Sequence, residues 1–204
     1  MTTESNRAAG VQITRFLMQS YQNDQGIHCE TIIGAAAALA GEFVLRASEP
    51  TLPDSGWVTS TKSTGLLFEN EARGKMSMWT IIRVGAEKAG AAPDALPDPV
   101  EVVGRVAASL GQSPFPPLSV PEEHFPHDWS PNACPTHRDE IERIGAENGL
   151  SPSDLALELA MCIVFLMHQA KDVLPPVIAA TLALEIMIGV SRMAPMQEPI
   201  RDVG

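Results

Sequence analysis

Two apolar runs near the C-terminus, 155–167 and 177–190, restrict the folds open to this chain more than any other feature. Pro175 and Pro176 stand between them, so the two cannot be one continuous rod. Each run carries one carboxylate, Glu158 in the first and Glu185 in the second. At 13 and 14 residues, both fall short of the roughly 20 that a bilayer-spanning helix needs. The runs are therefore expected to be buried helices of a water-soluble body, folded back on each other as an apolar hairpin.

A third apolar stretch, 27–47, is rich in Ala and closes before Pro50 and Pro53. Only 5% of the chain is aromatic, so its interior must be built from Ala, Leu, Ile, Val and nine Met. Ala, Leu and Met are strong helix formers. Helical spacing of Ile13, Phe16, Leu17 and Tyr21 marks a helix over 7–22, and an apolar group around Trp79 and Ile82 marks another over about 75–90. Shorter helices are expected over 100–110 and 136–148, the latter stopped by Gly149. Ser151 followed by Pro152 opens the next.

Ten of the 17 Pro fall in 93–135. Outside 100–110 that stretch cannot hold regular structure, yet Phe115, Phe125 and Trp129 give it apolar anchors. It reads as an arm packed on the helical body or on a partner subunit. Residues 56–68 combine β-type composition with Gly65 and read as a short β-hairpin or an ordered loop. The expected fold is thus all-α. A single domain, 1–204, holds a bundle or array of six to seven helices, with a Pro-rich irregular arm at about 93–135. Three helices that are apolar over much of their circumference need more interior than a chain this size offers. A homodimer burying part of them follows as an expectation.

Charge removes some functional classes. The net charge is −11 and the pI about 4.8, with Lys and Arg scattered. Such a surface repels phosphate backbones and anionic membranes, so neither nucleic acid nor membrane is an expected partner. Three Cys without close spacing build no disulfide framework or metal half-site, and the opening residues are polar. A reducing, cytoplasmic setting is the simplest expectation.

No motif fixes a reaction or a cofactor. His28-Cys29-Glu30-Thr31 looks like a ligand cluster, but within a helix His28 and Glu30 point apart. They would converge only if the helix began later. Glu42 and Arg46 stand at i,i+4 and read as an ordinary pair. Glu185, set among Leu184, Ile186 and Met187, is either paired across helices or a carboxylate of raised pKa. A di-iron bundle needs Glu-x-x-His, which does not occur. His124 and His127, with Asp128 and His137 nearby, lack the helical spacing of a zinc protease, and no metal site is assigned. Residues 62–65 fit neither a P-loop nor a Ser-x-x-Lys nucleophile. A non-enzymatic interaction or assembly protein acting as a homodimer is the first expectation. The alternative is a small-molecule binder or enzyme with His28, Glu42 and Glu185 as its ligand-binding residues in a pocket between helices.

Overall fold

A computed structural model of the chain describes residues 3–69 and 76–200. Among them are eight α-helices. These are α1 (Thr3–Tyr21), α2 (Cys29–Ser48), α3 (Thr61–Thr64), α4 (Met78–Ala89), α5 (Pro99–Ala108), α6 (Ala133–Asn148), α7 (Pro152–Ala170) and α8 (Pro176–Val190). The fold is all-α, as its composition implied. Seven helices match expected segments; residue 75, where α4 was expected to begin, lies outside the described residues. The eighth, α3, is a single turn that runs into a π-turn, Gly65–Glu69. It stands where a β-hairpin or an ordered loop was expected. The hairpin is corrected: Ser60 caps α3 by accepting from the Ser63 amide, and Trp57 pairs in one isolated bridge with Met193, 136 residues away in sequence. The β-type composition serves a strap to the C-terminal segment, not a local turn.

Helix α2 is the axle. Every residue from Glu30 to Leu45 is buried, and α1, α6, α7 and α8 pack around it. Its Ala-rich sequence is the reason such close surroundings are sterically allowed. Gly41 shows this most directly, because a Cβ there would collide with the backbone oxygen of Met187 on α8. Helix α8 is buried from Leu182 to Val190 on all sides. The third apolar helix differs. Ser151 and Asp154 form a capping box at the start of α7, and one face then enters the core through Leu155, Leu159, Ile163 and Leu166. Its other face, with Met161 and Phe165, stays open. By length and hydropathy alone, α2 and α7 are both long and apolar enough to span a bilayer.

The Pro-rich arm lies on this chain's own body. Phe115 is buried, Trp57 packs edge-on against it with centroids 4.5 Å apart, and Trp129 Nε1 donates to its carbonyl at 2.6 Å. Gly149 ends α6 at φ 67°, a left-handed conformation for which Gly has no steric penalty.

Candidate functional site

The three residues singled out from sequence do not meet. Each anchors a separate polar cluster, and only one of the three faces open space.

Glu42, 2% exposed, projects from α2 towards α6. Its Oε1 accepts from Arg46 Nε at 2.6 Å and Arg138 Nε at 2.5 Å, and its Oε2 accepts from Arg138 Nη2 at 2.9 Å. Arg138 Nη2 also donates to the Met196 carbonyl, which ties down the C-terminal segment. Burial raises the carboxyl pKa, but the two guanidinium groups outweigh it and hold the group below the usual carboxylate range. The adjacent Cys134 thiol is pushed well up, by burial first and then by the Glu42 charge. The void beside Glu42 is about 10 Å³, at most the room for one water. This is a structural ion cluster.

Glu185 on α8 receives Arg105 Nη2 from α5, the Ser119 amide at 2.8 Å and the Ser119 hydroxyl at 2.6 Å. The buried carboxylate therefore fastens both α5 and the arm to the core. Its cation comes from another helix, 80 residues away.

His28 has a different setting because α2 begins at Cys29, two residues later than the sequence suggested. It is the N-cap of α2, and its Nδ1 accepts the Thr31 amide at 3.3 Å. Accepting there leaves the ring proton on Nε2, which faces Glu30 Oε2 at 3.4 Å. The late start is what lets residues 28 and 30 converge. Glu30 Oε1 also pairs with His124 Nδ1 at 2.9 Å, and the His127 ring stacks on His28 with centroids 3.5 Å apart. The Thr31 hydroxyl stands 2.8 Å from His28 Nδ1 and accepts the His127 amide at 3.0 Å. Burial, followed by repulsion from His127, lowers the His28 pKa against the pull of Glu30.

His28, Thr31 and His127 form one wall of a cleft of about 500 Å³. The opposite wall comes from α1 and α6. Tyr21 Oη lies 3.2 Å from His137 Nε2, and the rings of Phe16 and Tyr21 meet His137 edge-on. Burial lowers the His137 pKa, so this ring is neutral near pH 7. Burial, then the Asp128 charge, raises that of Tyr21, which keeps its phenol proton. Asp128, Trp129 and Asn132 complete the rim, and no Lys or Arg is among the described lining residues. Residues 127–130 also wall a second cleft of about 470 Å³, bounded by Pro114, Pro116, Pro117 and Ile186.

The arm histidines were visible in sequence as a metal candidate. Among the described residues, no three His, Cys, Asp or Glu side chains are grouped to hold an ion. Tyr21 escaped notice because its partner lies 116 residues away. The sequence signals that pointed to this region were His28 and the closeness in the chain of His124, His127 and His137. Comparison with known protein families, curated proteins and solved structures finds no match.

Proposed function

We propose that this chain is a small-molecule-binding protein whose site is the cleft between the α2 N-terminus, α1, α6 and the arm. The observation that carries this reading is the lining itself. Its volume falls in the range of ligand pockets, and its polar groups are imidazoles, hydroxyls and side-chain amides, all able to hydrogen-bond. Trp129 adds a flat apolar surface beside them. A phosphate or sulfate site would present Arg or Lys; the described lining holds neither, and its one carboxylate is Asp128. The chemistry fits an uncharged or weakly cationic polar molecule with several donors and acceptors, such as a polyol, a sugar or a heteroaromatic amide.

The reading makes His28 a ligand-facing residue and leaves Glu42 and Glu185 as structural anchors. It favours the second of the two functional classes expected from sequence. The test is a thermal-shift screen of sugars, polyols, amino amides and nucleosides against the wild type and against Thr136→Trp, which fills the cleft from the exposed side of α6. A compound that raises the melting temperature of the wild type alone supports the proposal. A panel that stabilises neither protein, or both equally, counts against it.

A further inference from the structure

Helices α2 and α7 have the same mean hydropathy, 1.3 over their best windows, yet 89% of the α2 window is buried and only 50% of the α7 window. Burial on this scale is what makes an apolar helix stable in water, so the outer face of α7 lacks a cover. That face runs along Asp154, Glu158, Met161, Phe165 and His168, spaced three and four apart. Met161 is 50% exposed and Phe165 44%. Val11, at 54%, extends the apolar surface onto α1, which packs beside α7 with Gly10 against the Glu158 carboxylate.

We propose that this face is a homodimer interface in which α7 pairs with α7 of a second copy, antiparallel about a two-fold axis between Met161 and Phe165. The charge pattern selects this occupant. Glu158 and His168 flank the apolar pair at opposite ends, and neither has an ion-pair partner among the described residues. Antiparallel pairing centred between Met161 and Phe165 sets Met161 against the partner's Phe165 and Glu158 against the partner's His168, while Asp154 faces the partner's Asp172 only beyond the end of α7, where Asp172 is exposed to water and the repulsion is screened. The two-fold axis repeats each contact. A parallel pair would instead put Glu158 against the partner's Glu158. The 19 residues of α7 extend roughly 28 Å. A lipid surface fits this face less well, since two carboxylates lie along it and the chain carries a net charge of −11.

The test is sedimentation velocity of the full chain at tens of micromolar, with Phe165→Glu as the disrupting variant and circular dichroism as the check on its helix content. The wild type is expected at twice the 21.8 kDa chain mass, and Phe165→Glu at half the wild-type value. Cysteine cross-linking supplies a readout that does not depend on that variant folding. Met161→Cys protein mixed with Phe165→Cys protein is expected to form a disulfide-linked pair far more than either alone. A wild-type mass of 21.8 kDa at every concentration overturns the proposal. So does self-linking of each single variant in preference to the mixture. Flotation of the wild type with phosphatidylcholine–phosphatidylglycerol vesicles, lost in Phe165→Glu, would also overturn it in favour of a bilayer.

Discussion

Glu42→Ala removes the acceptor for three charge-assisted hydrogen bonds, and the structure shows that the loss falls unequally on the two arginines. Arg46 is partly exposed and keeps Glu142 at 3.4 Å. Water can replace what it loses, so its share is that of a surface pair, about 0–1 kcal/mol. Arg138 is buried and, among the described residues, keeps one hydrogen bond, to the Met196 carbonyl, leaving a guanidinium without the carboxylate it was paired to. Breaking a buried pair from one side costs about 3–5 kcal/mol. The expected total for Glu42→Ala is therefore about 3–5 kcal/mol, or a melting temperature roughly 6–20 °C lower for a domain of this size. Urea unfolding followed by circular dichroism measures it as a lower midpoint at unchanged slope. Glu42→Leu combined with Arg138→Met removes both charges and should recover at least half of the loss. A cost below about 1 kcal/mol for Glu42→Ala, or strict additivity in the double variant, would refute the reasoning.

Other perturbations follow from the same contacts. Gly41→Val drives two methyl groups into the α8 backbone at Met187, so little folded protein should be recovered, whereas Ala38→Gly at the same helix should cost only about 1 kcal/mol by chemical denaturation. Ser119→Ala takes one hydrogen bond from Glu185 and should destabilise by about 1–2 kcal/mol; limited proteolysis should then cut the arm faster than the helices. Acid should destabilise the fold in two stages. His28 and His137 have lowered pKa values and remain neutral when folded, so below about pH 6.5 the unfolded chain gains protons first and stability falls with pH. Glu30 and Glu42 also have lowered values. Burial opposes the shift in each, but hydrogen bonds to His124 and Arg138 prevail. Their stabilisation is complete above about pH 4.5 and is lost below it. Replacing His137 by Gln should remove its part of the upper stage in a series of melting curves against pH.

Sequence periodicity carried the helices because each is set by local spacing and local stop residues, as at Gly149 and at the Ser151–Asp154 box. It did not separate α7 from α8. Both read as apolar, but which face of a helix meets the core depends on neighbours distant in the chain. The start of α2 shows how a shift of two residues changes the chemistry. Read from residue 27, His28 and Glu30 diverge; with His28 as the cap, they converge. His is an uncommon N-cap beside Ser, Thr, Asp or Asn, and the nearest upstream residues of those preferred types are Asn23 and Asp24. Those residues belong instead to a turn in which Asn23 and Gly26 exchange backbone hydrogen bonds. The cleft was illegible for a related reason. Tyr21, His28, Asp128 and His137 come from four separate segments, and no spacing rule links them.

The central claim is that the cleft lined by His28, His127 and His137 takes up a small polar molecule. The most direct measurement is proton NMR of the imidazole Cε1–H resonances during titration with the best compound from the thermal-shift screen. The account predicts saturable shifts of the His28, His127 and His137 signals, with His168 on α7 unmoved. Shifts centred on His168, or a saturable stabiliser that moves none of the three cleft signals, would contradict it.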